Sequence, residues 1–197
     1  MRIAVAVSGG GSNLQALLDT LPPGGPTHVA LVLSNSTKAG ALERARAHGV
    51  PTAVLVDHGS TDEWLALLRH HRIDLLVLAG YLKLVPPGVI AAYRGRILNV
   101  HPALLPAFGG PGMYGKRVHQ AVLDAGATES GCTVHLVDEL FDQGEILAQA
   151  RVPVLPGDTA ESLAARVLTA EHQLLPRVVL AIAAAGHPVP LADRPTA

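Results

Sequence analysis

Ile3-Ala4-Val5-Ala6-Val7-Ser8-Gly9-Gly10-Gly11-Ser12-Asn13-Leu14-Gln15 is the stretch that decides the fold: an apolar run of strand length enters a glycine-rich turn that opens straight into a helical pattern. The run lacks polar alternation, as expected of a strand covered on both faces. Runs of the same kind recur at residues 29–33, 53–56, 75–79 and 97–100. Between them, residues 12–20, 39–48 and 62–71 place apolar side chains three and four apart, the spacing of crossover helices. Strand, helix, strand repeated three times predicts an α/β fold, doubly wound around a mainly parallel central sheet in one domain.

The character changes after His101. Pro102, Pro106, Gly109, Gly110, Pro111, Gly112 and Gly115 exclude regular structure and predict one long ordered loop, of the sort that serves as a lid or binding loop. Residues 117–124 then read as a helix, 132–137 and 146–152 as strands, and 159–185 as a final helix that Pro176 should kink or split. These limits put the domain at residues 1–186, with a proline-containing tail at 187–197.

Composition narrows the function classes. Fifteen Lys and Arg against 16 Asp and Glu leave a formal net charge of -1, which offers no long-range attraction for nucleic acid or an acidic membrane and favours small-molecule partners. Cys132 is the only cysteine, so an internal disulfide and a thiolate-rich zinc site are both excluded, and a reducing, cytoplasmic setting is expected. The apolar run after Met1 and Arg2 is too short for a signal-peptide core or a membrane span.

Three segments carry chemistry. In the glycine-rich turn, the backbone can approach an anion closely, and the free amides and positive dipole end of the following helix favour phosphate. Ser12 or Asn13 would cap that helix. The turn has neither a Walker ending nor a dinucleotide fingerprint, so a phosphate monoester fits best. The second segment is Asn99-Val100-His101-Pro102-Ala103-Leu104-Leu105-Pro106, at the carboxyl end of an expected parallel strand, where ligands of such sheets bind. Asn99 and His101 are two apart in an extended stretch and so face one side, bringing an amide donor and a titratable ring to one spot. The third, Val137-Asp138-Glu139-Leu140-Phe141-Asp142-Gln143-Gly144-Glu145, holds Asp138, Glu139 and Asp142, any of which could raise and orient a histidine. Spacing does not choose among the three.

In that order these segments, with His135-Leu136-Val137 before the acidic loop, resemble the folate-dependent phosphoribosylglycinamide formyltransferases over about residues 1–185. The resemblance implies transfer of a formyl group from 10-formyltetrahydrofolate, as co-substrate, to the amino group of glycinamide ribonucleotide in purine synthesis. It implies Asn99 and His101 as catalytic residues and Asp142 as the carboxylate that supports the histidine. Gly10, Gly11, Ser12, Asn13, Leu14 and Glu171 match ribonucleotide-binding positions. Leu82, Lys83, Leu84, Val85, Asn99, Asp138, Glu139, Leu140 and Phe141 match the folate pocket. The family often has an arginine in the loop before the third helix, where this chain reads Asp57-His58-Gly59-Ser60-Thr61-Asp62. No metal is expected, and the working form would be a monomer or homodimer.

Two related activities share the histidine motif: formyltetrahydrofolate hydrolase, which carries a regulatory domain, and methionyl-tRNA formyltransferase, which carries a carboxyl-terminal nucleic-acid-binding domain. A chain of 197 residues is expected to be neither. A non-catalytic nucleotide-binding module would need only the glycine turn. Of the other histidines, His70 and His71 are adjacent and diverge on a helix, making a poor metal pair; His119, beside Lys116 and Arg117, reads as a surface residue; and His135, in a strand leading to the acidic loop, reads as structural, with lining of the folate site as the alternative. Trp64 reads as core.

Overall fold

The computed structural model describes residues 1–191. The chain divides after Asn99 into two compact units. In the first, β1 (Arg2–Val7), β2 (His28–Ser34), β3 (Thr52–Val54), β4 (Leu75–Leu78) and the start of β5 (Ile97–His101), whose last two residues fall beyond the division, alternate with α1 (Ser12–Thr20), α2 (Gly40–Ala47), α3 (Thr61–His70) and α4 (Pro87–Ala92). The strands pair in parallel in the order β3-β2-β1-β4-β5. That order is a chirality argument made visible. The chain steps from β1 to β2 to β3 in one direction, then returns past β1 to β4 and β5. With right-handed crossovers, α1 and α2 cover one face and α3 and α4 the other, and α1 does pack on α2 and α3 on α4. The carboxyl ends of β1 and β4 therefore flank the point where the order reverses, which is where doubly wound sheets bind ligands.

The core of this unit is the expected apolar strands: residues 3–7 are wholly buried, as are Leu31, Val32 and Leu33, and Trp64 lies with them. Helix α4 is an element the sequence reading lacks. Pro86 and Pro87 look like breakers, yet Pro87 sits in the first helical position, where its missing N–H costs nothing and its fixed φ favours the helix.

The second unit holds α5 (Lys116–Asp124), the antiparallel pair β6 (Glu129–Leu136) and β7 (Ile146–Pro153), and α6 (Ala160–Ala185). Residues 102–115 contain no helix or strand. Helix α6 opens on a capping box in which Thr159 and Ser162 satisfy each other's amides. It runs unbroken through Pro176, so of the expected kink or split the split does not occur. Pro176 is buried with Leu174, Leu175, Val178 and Val179, and the helix packs along β6, β7 and α5, so tertiary burial outweighs the lost backbone bond. By length and composition α6 could cross a membrane, but half of its apolar window is buried inside the protein, as in a core helix. Of the expected tail, the structure describes residues 187–191, where the Leu191 amide donates to the Leu147 carbonyl. Residues 192–197 lie outside the described residues.

Candidate active site

In the first unit the glycine turn is held from several sides. Gly11, not Ser12 or Asn13, occupies the cap of α1, with φ 75° and no side-chain cap bond. The expected side-chain cap is absent because the left-handed glycine already turns the chain into the helix, leaving first-turn amides for water or an anion. The Gly9 carbonyl accepts from the Ala41 amide at 3.2 Å and the Gly10 carbonyl from Arg44 Nε at 2.7 Å. A Cβ at Gly11 would lie 2.5 Å from Ala41 Cβ, whereas one at Gly10 would meet nothing within 4 Å. Gly11 is thus required by packing against α2, a demand the sequence did not reveal. Asn13 and Leu14 are buried in α1, so Leu14 offers this turn its backbone only. Past β4, Leu82, Lys83 and Leu84 are exposed and Val85 is buried.

Asn99 and His101 lie two apart on β5, with Asn99 opposite Leu78 of β4. His101 is 3% exposed. Its Nε2 is 2.9 Å from the Phe108 carbonyl, which can only accept, so in the neutral ring that nitrogen carries the hydrogen. Its Nδ1 is then a lone pair 3.6 Å from Asp142 Oδ2. That contact becomes favourable when a second proton arrives, so Asp142 stabilises the imidazolium specifically. Burial holds the His101 pKa below its ordinary value; the Asp142 charge and the Phe108 carbonyl oppose that fall, and the His135 charge adds to it.

The three carboxylates of the acidic loop are sorted by their contacts. Asp138 accepts from the Leu140 amide and holds the turn. Glu139 is exposed. Asp142 faces two histidines: Oδ2 also accepts from the Gly110 amide at 2.9 Å, and Oδ1 is 3.5 Å from His135 Nε2. Burial alone would raise its pKa, but the His135 and Gly110 hydrogen bonds and the charges of His101 and His135 bring it below the usual carboxylate range. Asp142 has φ 53° and Phe108 φ 56°. Two non-glycine residues in the left-handed region, both touching His101, mark locally strained backbone of the kind that gathers at working sites. Beside them a cavity of about 360 Å³ is lined by Leu105, Pro106, Gly109, Gly110, Phe141 and Asp142 among others. Phe141 and Leu140 are half-exposed.

Two further histidines lie near this pair. His135 is 2% exposed, with Nε2 3.5 Å from Asp142 Oδ1. His119, expected at the surface, is 4% exposed, with Nδ1 unpartnered among the described residues. Burial and the His101 charge lower its pKa. The signal available in sequence was its place next to Val118 and one turn before Val122 on an amphipathic helix, outweighed in the reading by Lys116 and Arg117. Glu171 is buried on α6, and its charge, after burial, helps push the Cys132 thiol up to about 12. Among the described residues no group of three or more His, Cys, Asp or Glu could hold a metal ion.

The first unit is a doubly wound α/β frame with a glycine turn at its switch point, and the second holds a buried histidine beside a carboxylate. The formyl transferase family model matches residues 1–179, and the chain belongs to that family. It is 47% identical over 189 residues, 92% of its length, to the chloroplastic phosphoribosylglycinamide formyltransferase of Arabidopsis thaliana, and spans 65% of that protein. With the phosphoribosylglycinamide formyltransferase of Haemophilus influenzae it shares 38% identity, over 90% of this chain and 85% of the relative. The crystal structure of phosphoribosylglycinamide formyltransferase from Anaplasma phagocytophilum superimposes with a TM-score of 0.86 at 38% identity, covering 93% of this chain and 87% of that one.

Proposed function

We propose that the protein transfers the formyl group of 10-formyltetrahydrofolate to the amino group of glycinamide ribonucleotide, yielding formylglycinamide ribonucleotide and tetrahydrofolate in de novo purine synthesis. The observation that carries the reading is the buried His101 with Asp142 Oδ2 3.6 Å from its Nδ1, placed to favour the charged ring. The substrate amine attacks the formyl carbon, and the carbonyl oxygen becomes an oxyanion that Asn99 stabilises by donating from its carboxamide. His101 takes the proton released by the amine; the imidazolium, balanced by Asp142, returns it to the departing folate nitrogen as the intermediate collapses. Atoms balance without a metal, and none is invoked.

The ribonucleotide phosphate is assigned to the turn formed by Gly10, Gly11, Ser12, Asn13 and Leu14, with Glu171 on the ribonucleotide. The folate is assigned to Leu82, Lys83, Leu84, Val85 and Asn99, and to Asp138, Glu139, Leu140 and Phe141. Residues 1–186 act as one catalytic domain on small molecules, in the cytoplasm, as a monomer or homodimer. The test is tetrahydrofolate release from 10-formyltetrahydrofolate with and without glycinamide ribonucleotide. Release only when both are present is expected; release from the folate alone would make the protein a hydrolase, and no release in either mixture would make it a binding module.

A further inference from the structure

Ser8 is the one polar side chain of the glycine turn that the proposed chemistry leaves unused, and its hydroxyl is fully committed inside the first unit. It donates to Asn35 Oδ1 at 2.6 Å and accepts from the Leu82 amide at 2.9 Å, while the Ser8 amide donates to the Gly80 carbonyl at 3.1 Å. One residue at the end of β1 thus touches the segments that leave β2 and β4, its two neighbours in the sheet. It does so at the point where the strand order reverses.

The two sides of Ser8 are unequally braced. The turn after it is also fixed through the Gly9 and Gly10 carbonyls and the contact of Gly11 with Ala41. The stretch after Gly80 has no regular structure up to α4, and its side chains at Leu82 and Leu84 are 58% and 67% exposed. Tyr81 is buried edge-on against Trp64. Beyond Tyr81 the side chains of residues 82–84 are exposed, and the Leu82 amide donates to the Ser8 hydroxyl.

We propose that Ser8 is a positioning residue whose hydroxyl sets the place of the Leu82 backbone, and with it the lip that receives the formyl donor. It touches neither substrate. The inference rests on the assignment of the folate to residues 82–85. Removing the hydroxyl leaves the Leu82 amide without its acceptor, and the net worth of one such bond corresponds to about a three- to tenfold change in an equilibrium.

The experiment is Ser8→Ala, read two ways. In steady-state kinetics the KM for 10-formyltetrahydrofolate rises about three- to tenfold, whereas the KM for glycinamide ribonucleotide and kcat change by less than about twofold, because the other braces of the turn remain. In amide hydrogen exchange followed by nuclear magnetic resonance on the unliganded protein, Leu82 exchanges faster while amides of β1 and β4 keep their protection. Unchanged exchange at Leu82 overturns the proposal whatever the enzyme's substrate. Equal rises in both KM values, or an unmoved donor KM with faster exchange, overturn the assignment of Ser8 to the donor lip. A wild-type protein that fails to turn over the two substrates refutes the proposed function instead, and the exchange measurement still decides what Ser8 does to Leu82.

Discussion

Gly11→Ala isolates a cost that the turn imposes before any ligand arrives. The added Cβ would fall 2.5 Å from Ala41 Cβ and 2.9 Å from Ala41 Cα, with the backbone at φ 75°. A left-handed conformation costs an L-residue about 1–2 kcal/mol, and forcing an extra carbon against a packed neighbour typically costs about 1–3 kcal/mol. The obstructing Cα belongs to α2 backbone and cannot swing aside, so the two terms together come to about 2–5 kcal/mol. Set against a total stability of about 5–15 kcal/mol for a domain, that is a large share. Gly10 supplies the control, since a Cβ there meets nothing within 4 Å and its φ is not in the left-handed region. Urea unfolding of both variants is the assay. Gly11→Ala should lose about 2–5 kcal/mol and Gly10→Ala less than about 0.5 kcal/mol, while, with the phosphate proposed at this turn, the methyl group of Gly10→Ala should raise the KM for the ribonucleotide. Equal unfolding midpoints for the two variants would refute the reasoning.

Asp142→Asn removes the charge that opposes burial at His101, so the histidine pKa falls further; with the neutral ring as the working base, the acid limb of the kcat/KM profile moves to lower pH while kcat drops because the imidazolium has lost its counter-ion. An acid limb that stays in place with kcat intact takes Asp142 out of the mechanism. His101→Ala should lose about 10²–10⁴ in turnover yet still bind both substrates, which calorimetric titration of each ligand checks; loss of binding would recast the ring as a binding group. Thr159→Ala breaks the capping box of α6 and should cost about 0.5–2 kcal/mol in urea unfolding without changing either KM.

Local pattern was enough for much of this molecule. Apolar runs without alternation announced the strands of the first unit, because strands covered on both faces are mostly apolar; the run expected at 53–56 shortens to a half-buried β3 at Thr52–Val54, and Val56 is exposed. The glycine turn and the loop of residues 102–115 were equally plain, since glycine and proline act through the backbone of their own segment. Asn99 and His101 could be paired from sequence alone because residues two apart on a strand share a face. Where a local rule was applied to a tertiary question it failed. Pro176 was expected to kink or split its helix and lies inside an unbroken α6, held by burial that no window of sequence displays. His119 took its character from two charged neighbours, although a helix turns 100° per residue and buries it with Val118. Residue pattern left Asp138, Glu139 and Asp142 equivalent, and only resemblance favoured the last. Their distinct partners, a turn amide for Asp138 and two histidines for Asp142, come from the folding of the β6–β7 connection. Spacing along the chain determines which face a residue can take, whereas the neighbour it meets there is set by segments distant in sequence, and so the strands were legible while the histidine–carboxylate contacts had to await the fold.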